Sequence, residues 1–228
     1  MSLYAIGDLH LSLGTEKPMD VFGGRWLNYV EKITEGFMAL HDDDLTVICG
    51  DITWGMTMDE ALPDFLFIDK LPGKKVILKG NHDYWWTTAT KAGNFFREHG
   101  IESIDILHNN SFSYGGVSIC GTRGWFYEES KNDVHDKKIM NREVMRLEAS
   151  LRSAGEGDKY VFLHYPPKYQ GYECPEILEL LKAYNVKRCC YGHIHSAGCA
   201  YAFNGILGGT QFQLVSADYV QFRPQKLI

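Results

Sequence analysis

Short apolar runs end, one after another, in polar tips that contain glycine or histidine. The runs are Leu3 to Ile6, Leu45 to Cys49, Val76 to Leu78, Tyr160 to Leu163 and Val186 to Tyr191. Each is rich in Val, Ile, Leu, Tyr or Cys and too short for a helix, which predicts buried strands. Between them, apolar residues recur at helical spacing. Trp26, Leu27, Val30, Ile33, Phe37 and Leu40 form one stripe, Met140, Val144, Leu147 and Leu151 a second, and Ile177, Leu178, Leu181 and Tyr184 a third. Thr57-Met58-Asp59-Glu60 reads as a capping box opening a further helix with Leu62, Phe65 and Leu66 inward. Pro63 weakens that reading unless it lies within the first turn.

Alternation of strand and helix predicts an α/β layered domain, with no linker or internal repeat to divide residues 1–228. Two stretches depart from the alternation. Residues 111–121 read as a hairpin turning at Gly115-Gly116. Residues 199–223 read as consecutive short strands broken at Gly205, Gly208-Gly209 and Ala217-Asp218. The expected sheet is therefore mixed.

Composition is that of an ordinary globular protein, 45% hydrophobic and 23% charged, and 228 residues suffice for one sizeable core. A formal charge of −6 leaves no global basic field to gather nucleic acid or anionic membrane. Lysines cluster at Lys70, Lys74, Lys75 and Lys79. A second basic cluster, Lys131 to Arg146, is diluted by acids such as Asp136 and Glu143 and reads as a solvated helix face. Among the six cysteines, Cys49, Cys120, Cys189 and Cys190 lie in apolar runs, where a free thiol behaves as a small hydrophobe. The run before Asp8 reads as a strand rather than a leader, and no apolar run is long enough to span a membrane. The expected compartment is the reducing cytoplasm. His41, His99, His108 and His135 sit in polar or helical contexts and are expected at the surface.

The tips carry the chemistry. In order they are Asp8-x-His10, Gly50-Asp51, Gly80-Asn81-His82-Asp83, His164, and Gly192-His193-x-His195. In open α/β sheets, sites form beyond the carboxyl ends of strands, so tips far apart in sequence can converge. Imidazole, carboxylate and amide donors without a thiolate suit two hard-to-borderline divalent ions, Mn or Fe first and Zn or Ni after them, rather than a sulfur-rich structural zinc. If these tips are extended, residues two apart share a side, which would pair Asp8 with His10 and His193 with His195. The glycines before Asp51, Asn81 and His193 allow close backbone approach.

This ordered set, from Asp8 to His195, resembles the calcineurin-like metallophosphoesterase superfamily. The resemblance implies two mixed β-sheets packed as a sandwich and flanked by α-helices. It also implies a dinuclear metal-dependent hydrolysis of a phosphate mono- or diester by a metal-bridging hydroxide. Position by position it implies Asp8, His10 and His195 as ligands of one metal, Asn81, His164 and His193 of the other, and Asp51 as the bridge. His82 matches the histidine beside the substrate phosphate, and Asp83 its acidic partner. A bridging ligand needs two oxygens, which Asp51 offers. His82 would either protonate the leaving alkoxide or stabilise phosphoryl charge.

The pattern departs from the protein-phosphatase branch, because no arginine follows Gly50-Asp51 in Ile52-Thr53-Trp54-Gly55. Arg123, just after a strand, is the candidate substrate arginine, and Trp54, Trp85 and Tyr165 are candidate stacking or support residues. Residues 122–158, between two strands, are a candidate lid or cap that shapes substrate choice. The expected partner is a small-molecule phosphate ester. A nuclease needs a basic strand path that the composition does not offer, and a metal-free scaffold on this fold would have lost ligands that are all present here. Oligomeric state is not legible in the sequence.

Overall fold

The computed structural model describes residues 1–126 and 133–228. Strands β1 (Leu3–Ile6), β2 (Leu45–Ile48), β3 (Lys74–Ile77) and β4 (Ile104–Ile106) lie parallel in that order and form the first sheet. The second sheet opens with the expected hairpin, β5 (Ser111–Tyr114) antiparallel to β6 (Val117–Thr122). It continues in parallel through β7 (Asp158–Leu163). After a two-stranded hairpin of β8 (Lys168–Tyr169) and β9 (Tyr172–Glu173) come β10 (Arg188–Tyr191), β11 (Gly205–Leu207) and β12 (Thr210–Leu214). The second sheet has the order β11-β12-β10-β7-β6-β5, and β13 (Gln225–Lys226) returns to the edge of the first, antiparallel to β1. Both sheets are mixed.

Side-chain alternation sorts the layers. Leu3, Ala5, Val47, Cys49 and Val76 point from the first sheet into a shared core with Ile119, Phe162, Cys190 and Val215 of the second. The alternate positions Ile6, Ile48 and Ile77 face the helices α1 (Tyr29–Phe37), α2 (Met58–Lys70) and α3 (Ala89–Glu98), meeting Ile33, Phe37, Phe65 and Phe96. On the far face of the second sheet, Val161, Leu163, Cys189 and Tyr191 pack on α4 (Asp133–Ser153) and α5 (Pro175–Ala183) through Met140, Leu147, Leu151, Ile177 and Leu181. The result is helix, sheet, sheet, helix. Fully burying one such Leu or Phe contributes about 1.5–3 kcal/mol.

Several sequence expectations change here. Helix α1 starts only at Tyr29, because Asn28 takes a left-handed φ of 54°; Trp26 is buried ahead of the helix, while Leu27 is exposed. Helix α2 opens on the Thr57 cap as expected and runs on through Pro63, well past its first turn. Its inward residues are Ala61, Asp64, Phe65 and Ile68, with Leu66 at the surface. The Asp64 carboxylate accepts from Leu13 N (2.7 Å) and from the Thr53 hydroxyl, a tertiary tie that offsets the hydrogen bond Pro63 removes. Burial pushes this carboxyl up to about 6.

Downstream, β12 pairs in parallel with β10, so residues 199–223 are not a simple meander; Gly205 starts a strand instead of breaking one. The larger part of the segment expected as a lid is a layer of the fold, since α4 is packed on β6 and α5; residues 127–132 lie outside the described residues. Nor is the α4 basic cluster simply a solvated face. Glu143 is fully buried, accepting from Thr122 Oγ1 and Arg146 Nη1, both at 2.6 Å. Lys75 is buried too, its ammonium on the Leu71 carbonyl and on Ser103 Oγ at 3.1 Å. His108 is half-buried against Trp86.

Candidate metal centre

The carboxyl ends of β1, β2, β3, β7 and β10 open at one edge of the sandwich, and the five tips meet there. They do not meet through extended geometry. Asp8, His10, Asp51 and His193 hold φ values of 57°, 46°, 50° and 72°, so left-handed bends rather than strand alternation bring them together. Such conformations cost of order 1–3 kcal/mol each and persist where the surroundings over-determine them. The glycines provide that closeness. A Cβ on Gly80 would collide with the Asp51 carboxylate, and one on Gly192 would stand 2.5 Å from Asp8 Oδ2.

Two groups of donor atoms result. In the first, His195 Nε2 lies 3.3 Å from His10 Nε2 and 3.5 Å from Asp8 Oδ1. In the second, Asn81 Oδ1 lies 2.6 Å from His164 Nε2 and 2.8 Å from His193 Nδ1. Asp51 stands between them, with Oδ2 at 3.6 Å from both His10 Nε2 and His164 Nε2. Its other oxygen accepts the His82 backbone amide at 2.7 Å. A single oxygen thus faces both groups, where sequence reasoning expected both oxygens to share that task. The described His, Asp and Glu residues capable of gripping a cation include Asp8 with His10 and His195, and Asp8 with Asp51 and His164.

Neighbours set the ring orientations. His164 Nδ1 meets the Cys49 carbonyl at 3.0 Å, which fixes the proton on Nδ1 and turns the Nε2 lone pair toward Asn81 and Asp51. His195 Nδ1 meets Asp218 Oδ1 at 3.0 Å, and Asp218 also accepts Ser196 N at 2.8 Å. His10 is oriented by stacking on Trp54 at 4.9 Å and 25° and by the edge of Trp26. Burial drives His10 well below the ordinary imidazole value, and drives His193 down to about 3, with His164 adding to both effects. Burial would lower His195 as well, but Asp8 and Asp218 outweigh it and raise the ring to about 10. Burial also opposes charge on Asp8, yet His195, His164 and His10 pull it below the carboxylate range. For Asp51 burial wins, lifting it to about 7.

These atoms fit divalent cations. The lone pairs of His164 Nε2, Asn81 Oδ1 and Asp51 Oδ2 converge without a donor between them. Neutral imidazoles and carboxylates are the forms that bind metal, so His10 and His193 are ready for a cation, whereas His195 would release its proton as one binds. Ligand atoms each about 2.1 Å from one ion stand roughly 3 Å apart, close to the separations here.

His82 is half-buried at the rim, 4.7 Å from the Trp54 ring and 5.7 Å from His10. Burial lowers its pKa, with His164 acting in the same direction. Its ring meets the Tyr84 hydroxyl, Nδ1 to Oη 3.4 Å. Asp83 therefore has a different task from the one its position beside His82 suggests. It is fully buried and accepts Asp51 N (2.9 Å), Ile52 N (2.9 Å), Gly80 N (2.7 Å) and Trp85 Nε1 (3.0 Å), clasping the Asp51 loop to the Asn81 loop. Asp83→Asn turns one acceptor into a donor and orphans buried N–H groups, each costing about 1–3 kcal/mol. Urea unfolding should show a loss of about 2–5 kcal/mol on that basis; stability within about 0.5 kcal/mol of the parent would remove the clasp.

Trp85 is buried beneath the loops and supports them, so it offers no face to a substrate. Trp54 and Tyr165 are half-buried at the centre, Tyr165 lying 4.5 Å from the His193 ring. Arg123 is tied inward: Nη2 is 3.6 Å from Glu143, its guanidinium lies over Trp125, and its carbonyl accepts His164 N and Tyr165 N. Sequence reasoning missed Asp218 and the Cys49 carbonyl, and it places Tyr84 among the aromatics at the tips without its contact to His82. Of the two missed, only Asp218 carries a signal, a carboxylate in a polar turn.

Sheets and crevice together define a metal-dependent phosphoesterase. A family model of the calcineurin-like phosphoesterases matches residues 1–197, and the chain belongs to that family. Similar solved structures include the phosphopantetheinyl hydrolase PptH from Mycobacterium tuberculosis (14% identity, TM-score 0.60, covering 100% of this chain and 95% of that one). A protein of unknown function, AQ665 from Aquifex aeolicus, is 16% identical with a TM-score of 0.53 over 99% and 95%. The protein TT1561 of Thermus thermophilus is 13% identical with a TM-score of 0.56 over 92% and 86%. These likenesses are of fold. No curated protein matches the chain by sequence. Among the described residues, no helix is long and apolar enough to cross a membrane, and the six cysteines are buried and free.

Proposed function

We propose that the chain hydrolyses a phosphate mono- or diester of a small molecule at a site for two divalent ions. Asp8, His10 and His195 would hold one ion, Asn81, His164 and His193 the other, and Asp51 Oδ2 would reach both. The observation that carries this reading is the position of that oxygen, 3.6 Å from a histidine of each group. Thiolate-free donors favour Mn or Fe, with Zn and Ni as alternatives. When bound, such a pair lowers the pKa of a water and clamps phosphoryl oxygens.

The chain's own residues supply the rest. In hydrolysis the water oxygen forms the new bond to phosphorus as the ester P–O bond breaks, and the leaving oxygen takes up a proton. The Tyr84 hydroxyl lies against His82 Nδ1 and leaves Nε2 for the substrate. As the imidazolium, with both nitrogens protonated, the ring would give its Nε2 proton to the leaving oxygen and remain as neutral imidazole; as the neutral ring protonated at Nε2 it would donate a hydrogen bond to a phosphoryl oxygen. Trp54 braces His10 and His82 together, and Tyr165 and Arg123 are the remaining candidates for substrate contact. Asp218 orients His195, so Asp218→Ala should weaken metal affinity about 10–100-fold in chelator competition. Unchanged affinity would remove it from that role.

A net charge of −6 gives a nucleic-acid strand no basic path, which favours a small substrate over a nuclease reading. Free buried cysteines suit a reducing compartment such as the cytoplasm. The direct test compares a chromogenic phosphate diester with its monoester, using chelated protein to which Mn²⁺ is restored. Metal-dependent turnover of either supports the proposal, and the better substrate sets the class. Turnover of neither, with both ions bound, speaks against it.

A further inference from the structure

Beside His193 and His195 lies a cavity of about 180 Å³ whose further walls include Phe126, Tyr169, Ile194 and Gly198. Its histidines come one from each donor group, so the cavity abuts the centre where a phosphoryl group would sit. No Lys, Arg, Asp or Glu is among the described residues lining it. Beside those histidines the described lining, Phe126, Pro166, Tyr169, Ile194 and Gly198, offers largely apolar surface that suits an uncharged group.

The walls are braced. Tyr169 belongs to the tight β8–β9 hairpin and is bridged to Ala202, and its hydroxyl lies 3.4 Å from the Gly198 carbonyl. Phe126 packs on Tyr169 at 6.2 Å and on Tyr172 at 4.4 Å. Gly198, in the 3-10 turn Ser196–Tyr201, leaves room that a side chain would take. A Cβ there would stand 2.9 Å from Tyr169 Oη and 3.1 Å from Ile194 Cγ2.

Resting on the phosphoesterase reading above, we propose that this cavity receives a single flat ring carried by the alcohol part of the ester. Size and shape select that occupant. An apolar cavity of about 150 Å³ accommodates benzene, so this one has room for one ring against its walls. The aromatic rings of Phe126 and Tyr169 in its wall offer the edge and face contacts that a ring prefers. Specificity then falls to Gly198 and Phe126, neither of which is placed in the metal centre.

The test measures binding by calorimetry of phenylphosphonate and methylphosphonate to the Mn²⁺-loaded chain, alongside metal content. The parent protein is expected to bind the phenyl compound about tenfold more tightly, equivalent to about 1.4 kcal/mol. Gly198→Val should abolish most of that preference while leaving methylphosphonate affinity and metal content unchanged. Phe126→Ala, which adds no bulk, should reduce it severalfold. Equal affinities in the parent, or a preference kept in both variants, would overturn the ring site alone. Failure of the metal-loaded parent to bind either phosphonate would overturn the phosphoesterase reading and the ring site with it.

Discussion

Asp51→Asn is expected to lose at least one metal ion and nearly all turnover. The carboxylate is buried with one oxygen on the His82 amide and the other midway between His10 and His164. The amide keeps the shape and gives up the negative charge that would hold two cations together. Removing one partner from a buried charge cluster costs about 3–5 kcal/mol. Taken from the transition state, that is roughly 10²–10⁴ in rate. Elemental analysis of the variant beside its kinetics separates the readings. Full metal content with parental turnover would end the bridging assignment.

His82→Ala is expected to behave differently. The His82 side chain has no place in either donor group, so the metal content should stay at the parental level. Turnover should fall by a factor on the order of 10²–10⁴, the range for a lost acid–base group. The loss should be larger for esters with poor leaving groups if His82 supplies the proton, and uniform across leaving groups if it stabilises phosphoryl charge. An unchanged rate would place His82 outside the chemistry. Because Asp83 clasps loops and does not hold the His82 ring, the His82 variant should also be as stable as the parent, in contrast to Asp83→Asn.

Much of the frame was legible in the sequence because burial writes itself in periodicity. Runs such as Leu45 to Cys49 are apolar at nearly every position, as strands covered on both faces must be, and the glycines at 50, 80 and 192 marked where loops crowd the site. The metal loops were found by residue type at the ends of those runs. What could not be read was whatever depends on partners distant in sequence. Asp83 sits next to His82 in the chain, yet its donors include loop amides 31 and 32 residues away. Asp218 is 23 residues from the histidine it orients and stands in a turn that periodicity treats as punctuation.

Helix α3 went unnoticed because it buries only Ala92 and Phe96, too sparse a stripe to stand out, and its Thr88 cap lacks the acidic residue of a full capping box. The assumption of extended tips failed for a related reason. A left-handed φ at Asp8 or His193 is imposed by the packing of loops against one another and not by local preference. Glu143, buried where α4 meets its sheet, was hidden in a run of surface-type residues that only its partners Thr122 and Arg146 distinguish.

The central claim is that one crevice holds two ions joined by Asp51. It is tested most directly by counting metal in the purified chain after chelation and reloading with Mn²⁺, with Asp51→Asn measured in parallel. The account predicts two equivalents per chain in the parent and fewer in the variant. One equivalent or none in the parent, or two retained in the variant, would contradict it.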